Sequence, residues 1–189
     1  MKKIRVMGID DGPFDFNDER VWVVGVIMRL PAYTEGVVTR RVMVDGRDAT
    51  DKVISMIRSK FYPQLGAVIL DGVALGGFNV VDAEAVYSET GVPLITVTRA
   101  MPDYDSMKRA LMKYFDDWRW RWKVIERARV HEVDMFEGKI YVGLSSGITL
   151  DKAKEIIRNN TLRGNMPECL RLAHMIATAI IKGESGGKV

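Results

Sequence analysis

Five residues, Gly66–Leu70 (GAVIL), constrain this chain more than any others. The run is apolar at every position, so as a strand it offers no face to water, and Asp71-Gly72 closes it at once. Such a strand is stable only with both faces covered, as in the inner strands of parallel α/β sheets. Pro93–Thr98 (PLITVT) has the same character. Helix-period segments alternate with these two runs. Val53, Ile54, Ile57 and Phe61 mark one helix over Thr50–Phe61, and Val80–Thr90, stopped by Gly91, marks another. The fold class expected is α/β.

Upstream, Lys3–Asp10, Arg20–Arg29 (RVWVVGVIMR) and Gly36–Val44 (GVVTRRVMV) read as three strands joined by short loops, hence an antiparallel meander. Strands reached through helices then add in parallel by right-handed crossovers. If the first crossover returns beside strand one, the result is a ribonuclease H-like, mixed five-stranded sheet of order 3-2-1-4-5 with helices on both faces. Further on, 104–128 reads as one long helix with an inward stripe of Met107, Leu111, Tyr114, Phe115, Trp118, Trp122 and Ile125. Arg129–Val133 and Lys139–Leu144 are candidates for two more strands. Two helices close the chain, the first capped by Thr149 and the second opened by a capping box at Asn165-Met166-Pro167-Glu168. With 189 residues and no repeat or linker, a single domain over 1–183 and a short, frayed, flexible tail over 184–189 are expected.

Composition removes several classes. An apolar fraction of 47% with 28% charged residues belongs to a globular chain, not to a disordered or collagenous one. The longest apolar runs, such as Val21–Met28, fall short of the ~18–20 residues needed to cross a bilayer, so no membrane partner is expected. Met1-Lys2-Lys3 leads straight into a strand rather than a leader, and a cytoplasmic location is expected. The lone Cys169 excludes an intrachain disulfide and a cysteine zinc cluster, and its place on an apolar helix face reads as core.

Charge is nearly balanced, with 28 Lys+Arg against 25 Asp+Glu, so a nucleic-acid role must rest on a local patch. Lys113–Arg129 holds six basic and three acidic residues, an excess equal to the +3 of the whole chain. Within it, helical geometry turns Trp118 and Trp122 inward and Trp120, ~200° away from each, outward near Lys113, Lys123 and Arg127. An outward tryptophan suggests a contact surface. A homodimer or packing contact is the favoured use, and base stacking by Trp120 with Lys123 and Arg127 on phosphates is the other. His131 and His174 stand too far from other ligand types to suggest a metal site and read as structural. Gly183–Val189 (GESGGKV) lacks the spacing of a phosphate loop. The methionines are scattered and mark no cofactor box.

In a 3-2-1-4-5 sheet, strands one and four are parallel neighbours ~4.8 Å apart, and their last residues, Asp10 and Asp71, project from one edge. Two carboxylates that close either hold a hard cation such as Mg²⁺ or Mn²⁺, or repel and raise a pKa. A pair of such ions can clamp both oxygens of a phosphodiester exchange. Asp45, Asp48 and Asp51 lie where strand three meets the first helix and could complete the ligand set. Asp11 is disfavoured, since alternation turns it to the opposite face from Asp10. Asp10, Asp71 and Asp45 read equally well as turn formers.

Gly8-Ile9-Asp10, Ile69-Leu70-Asp71-Gly72 and Tyr141–Leu150 (YVGLSSGITL) resemble motifs of the endonuclease V family. GIDDGPF, VDGRDAT and LDGVALGGFNVVD together more closely resemble a mostly archaeal branch, the endonuclease dU family, over nearly the whole chain. The resemblance implies a ribonuclease H-like fold and metal-dependent cleavage of nucleic acid, DNA or RNA, with deaminated bases as candidate targets. It places Asp10 and Asp71 on the two central metal-binding aspartates, a third ligand on Asp48 or Asp51, and a phosphate-contacting cation near Arg99, for which a solvated cation is the favoured reading. The last metal-site residue of endonuclease V falls on Ser146, where a hydroxyl stands in place of histidine or aspartate. The Pro-Tyr-Ile-Pro wedge and the His-Pro-Arg after the second aspartate are absent. Three functions are thus carried forward: a Mg²⁺- or Mn²⁺-dependent nuclease, a nucleic-acid-binding or scaffolding protein with a weakened metal centre, and last, for Asp10-Asp11-Gly12, an ATP-using phosphotransferase.

Overall fold

The computed structural model describes residues 4–186. Residues 187–189 of the expected tail lie outside the described residues. Strands β1 (Arg5–Asp11), β2 (Arg20–Arg29) and β3 (Tyr33–Met43) form the antiparallel meander. Helix α1 (Ala49–Ile57) carries the chain back to β4 (Leu65–Asp71), which pairs in parallel with β1. After a two-stranded ribbon of β5 (Ala74–Leu75) and β6 (Asn79–Val80), helix α2 (Ala83–Thr90) leads to β7 (Leu94–Thr98), parallel to β4. These five long strands follow the order expected.

The sheet does not stop at five. Beyond helices α3 (Tyr104–Tyr114) and α4 (Trp118–Arg127), strands β8 (His131–Met135) and β9 (Gly138–Leu144) add antiparallel to β7, giving a seven-stranded sheet of order β3-β2-β1-β4-β7-β9-β8. The two candidate strands join the main sheet because Ile140, Val142 and Val133 bury against it. Helices α5 (Leu150–Asn160) and α6 (Glu168–Lys182) complete the chain.

Alternation along each strand divides the core in two. Val6, Ala67, Ile69, Ile95 and Val97 face α5 and α6, through Ile156, Ile157, Cys169, Leu170, Ala173 and Ala177. Met7, Ile9, Val68, Leu70 and Leu94 face α1 and α2, through Val53, Met56, Ile57 and Val86. The helix expected over 104–128 is two. Phe115 adopts an extended backbone (φ −132°, ψ 123°) and turns its ring edge-on to Phe78, at 5.7 Å between centroids. The gain in aromatic burial outweighs helix continuity through Asp116-Asp117. Tyr114, expected inward, is exposed as a result.

Arg121, in the middle of α4, is only 4% exposed. Its Nε donates to Asp117 Oδ1 at 2.8 Å, and Nη1 donates to the carbonyls of Gly46 at 2.9 Å and Phe78 at 2.6 Å. It locks α4 onto the β5–β6 ribbon and the loop after β3. Trp118, Trp120 and Trp122 are all half-buried against a third, smaller cluster of Val80, Leu111, Val124 and Ile125, and Arg47 stacks on the Trp120 ring at 4.5 Å. The outward Trp120 expected from helical geometry is thus corrected, and the sequence argument for a dimer or base contact there does not carry over.

Thr149 caps α5 as expected. No side chain caps α6 at Pro167, so the expected capping box is absent; Asn160 Oδ1 instead accepts the Cys169 N–H at 3.1 Å, while Asn165 exchanges hydrogen bonds with the Glu137 backbone. α6 lies directly on β1 because glycines lie beneath it. A Cβ on Gly8 would sit 2.5 Å from the carbonyl carbon of Cys169, and one on Gly12 would strike Ile181. Gly8→Ala should therefore cost about 1–3 kcal/mol by overpacking, read from urea denaturation. An unchanged midpoint would show that α6 is free to lift.

Candidate active site

The register fixes the first two members. Ile9 pairs with Leu70, so Asp10 and Asp71 stand side by side one step further, at the ends of parallel neighbours. Both continue the Val6 and Ile69 face and turn toward α6. There His174 Nδ1 lies 2.9 Å from Asp10 Oδ2. A contact of that length needs one proton between its two atoms, on imidazole or on carboxyl. The second Asp10 oxygen, Oδ1, accepts the Asp11 N–H at 2.9 Å.

Asp10, Asp11, Gly12, Pro13, Phe14, Asp71, His174, Thr178 and Lys182 line an open cleft of about 500 Å³. The three aspartates give it an unfavourable negative field. Asp10 is 6% exposed. Burial first, then the charges of Asp71 and Asp11, push its carboxyl up to about 8, against partial relief from the Asp11 N–H and Arg99. Asp71 and Asp11 are also raised, both mainly by burial; Arg99 and His174 oppose this at Asp71, and the Gly76 N–H opposes it first at Asp11. Arg99, exposed just past β7, therefore places its charge within reach of both Asp10 and Asp71.

Other expected members lie elsewhere. Asp48 Oδ1 accepts from the Met43 N–H at 3.0 Å and from Asn79 Nδ2 at 2.7 Å, which makes it a brace for the start of α1. Asp51 lines a separate surface groove between α1 and α2 with Arg58 and Glu89. Neither lines the cleft, which corrects their expected role as third ligand. Asp45, in the left-handed region at φ 54°, accepts from the Phe78 N–H and serves its turn. Asp11, disfavoured by alternation, lines the cleft as well, while its Oδ2 accepts the Gly76 N–H. On α4, Lys123 is exposed and Arg127 approaches Asp82 at 3.7 Å; neither they nor Trp120 line the cleft.

Ser146 is at the wrong edge of the sheet. β9 runs antiparallel to β7, so the Ser145 N–H reaches the Leu94 carbonyl at the start of β7, while Asp71 pairs with Val97 near its end. Those three residues alone separate the levels by roughly 10 Å. Ser146 instead donates its N–H to Glu84 at 2.8 Å. Ser146→His and Ser146→Asp are accordingly expected to leave metal affinity and cleavage rate within about twofold. A tenfold gain in either would return Ser146 to the site.

The residue that sequence reasoning missed is His174. α6 presents His174, Thr178 and Lys182 at spacings of four, one step round from its buried stripe of Cys169, Ala173 and Ala177. That polar row in an otherwise apolar helix was the available signal. Thr178 Oγ1 is buried without a hydrogen-bond partner among the described residues.

The family model described as Endonuclease dU matches residues 2–181. This chain belongs to the endonuclease dU family. Among its relatives, a UPF0215 protein of Methanosarcina barkeri is 45% identical over 188 residues, covering 98% of this chain and 95% of that one. The crystal structure of a protein of unknown function from Archaeoglobus fulgidus superposes with TM-score 0.84 at 40% identity, covering 95% of this chain and 99% of the other. Ciona intestinalis endonuclease V, in complex with DNA containing an inosine, superposes with TM-score 0.60 at 15% identity over 91% of this chain and 83% of that one. This last likeness establishes the fold, an α/β mixed sheet of the ribonuclease H-like class. Among the described residues, no helix is long and apolar enough to cross a membrane.

Proposed function

We propose that this chain is a divalent-metal-dependent endonuclease that cuts nucleic acid at the Asp10–Asp71 cleft, with deaminated bases the first substrates to test. The observation that carries the reading is the placement of these two carboxylates on one face, at the ends of hydrogen-bonded parallel strands. Membership of the endonuclease dU family and the fold shared with an inosine-bound endonuclease V support it.

The residues present fit a hard cation. Mg²⁺ and Mn²⁺ favour oxygen ligands, and Mg²⁺ is commonly held by one or two carboxylates with water and phosphate filling the rest. One buried and two half-buried aspartates with raised pKa values are a field that a cation would relieve. The partnerless Thr178 hydroxyl adds a further oxygen in the lining. When bound, such a metal supplies charge for the phosphoryl oxygens and a more acidic water. Asp10 and Asp71 would hold it. His174 orients Asp10 through Oδ2, and with 44% of its side chain exposed it can exchange a proton with water or a leaving group. Lys182 in the lining and Arg99 just past β7 would supply positive charge for phosphates.

One observation favours the second reading, a nucleic-acid-binding or scaffolding protein with a weakened metal centre: among the described residues no three His, Cys, Asp or Glu side chains form a ready cage. Calorimetry with Mg²⁺ and Mn²⁺, paired with cleavage assays on single-stranded, duplex, RNA and deaminated substrates, decides between them. Metal-dependent cleavage is expected. Nucleic-acid binding without cleavage or metal uptake would select the second reading.

A further inference from the structure

The loop between β1 and β2 leaves the cleft and places an aromatic ring in solvent. Phe14 forms part of the cleft wall, and Phe16 lies edge-on to it, with ring centroids 5.5 Å apart at 80°. Phe16 is nevertheless 74% exposed. The turn beneath it is tightly bonded to itself. The Asp15 N–H donates to Asp18 Oδ2 at 2.9 Å, the Asn17 N–H to Asp15 Oδ1 at 2.9 Å, and the Asp18 N–H to the Asp15 carbonyl at 2.9 Å. The ring is thus held out on a braced loop that starts two residues after Asp10. Keeping a phenyl ring in water is unfavourable, and this one adjoins a cleft that has Lys182 in its lining and Arg99 near enough to act on Asp10.

We infer that Phe16, backed by Phe14, is a stacking platform for a nucleobase of a single-stranded segment whose phosphate lies in the Asp10–Asp71 cleft. The inference rests on the nucleic-acid reading above and names its local substrate geometry. A base offers a π-face whatever its identity, so a phenyl platform beside a phosphate-binding cleft would grip an unpaired strand without selecting sequence. Phe14 fixes the direction of the ring, and the polar braces at Asp15 and Asp18 keep it from folding back onto the protein.

The test uses the full chain with a short single-stranded oligodeoxynucleotide carrying 2-aminopurine, whose emission is quenched on stacking. Binding is read with Ca²⁺, and cleavage with Mn²⁺. Phe16→Ala should keep the wild-type melting temperature, lose the quenching, and bind roughly tenfold or more weakly, the usual loss for one base–aromatic stack. The change should fall on KM with kcat at saturation little altered, and Phe16→Tyr should restore both binding and quenching. If the wild type binds and cleaves but Phe16→Ala matches it in affinity and quenching, the platform is overturned and the nuclease reading stands. If the wild type neither binds nor cleaves the oligonucleotide, the nucleic-acid reading fails and takes the platform with it.

Discussion

Asp10→Asn should abolish metal-dependent cleavage, by on the order of a thousandfold or more, and at the same time make the metal-free protein more stable at pH 8. The second half follows from linkage. Asp10 rises from 3.8 to about 8 on folding, so between those values the folded state holds a proton that the unfolded chain releases. Stability from this group is full below about pH 4 and is lost as pH climbs through about 8. The loss is on the order of a few kcal/mol. Asparagine carries no charge to desolvate, so the variant's stability should fall less across that window, with the raised Asp71 and Asp11 accounting for what slope remains. Thermal melts of metal-free protein at several pH values, with and without Mn²⁺, measure both effects. Mn²⁺ should raise the wild-type melting temperature most at high pH. A variant no more stable than wild type at pH 8 would mean that the carboxylates are better solvated than the geometry indicates.

Arg121→Leu should cost about 3–5 kcal/mol, among the largest losses available to a single change outside the sheet. The substitution removes the Asp117 ion pair and leaves the Gly46 and Phe78 carbonyls without that donor, in a place water cannot easily reach. Urea denaturation gives the number directly. A cost below about 1 kcal/mol would show that α4 is held by its tryptophans alone.

The comparison of these two arginine and aspartate sites shows what the sequence could and could not convey. GAVIL and PLITVT announced buried parallel strands because nothing polar interrupts them, and the register that follows puts Asp10 beside Asp71. Arg121 was invisible for the opposite reason. It lies between two tryptophans in an apparently solvated basic run, and only the ribbon at Asn79–Val80 and the loop at Gly46, distant in the chain, explain its burial. The helix break at Phe115 came from the same ribbon, through Phe78. His174 looked isolated because its partner is 164 residues away. Ser146 was misplaced because a motif fixes residue type and spacing, whereas the antiparallel direction of β9 decides which edge of the sheet it reaches.

The 164-residue span between Asp10 and His174 also has a bearing on how the molecule comes into being. Contacts so remote in sequence close late, since chain entropy must be overcome before they form. A growing polypeptide on the ribosome could assemble β1 through β9 and still have no wall opposite Asp10, because α6 supplies it. Until that helix settles onto Gly8 and Gly12, the aspartates face open water rather than a shaped cleft. The hazardous chemistry proposed for this site is thereby withheld from every partly made copy.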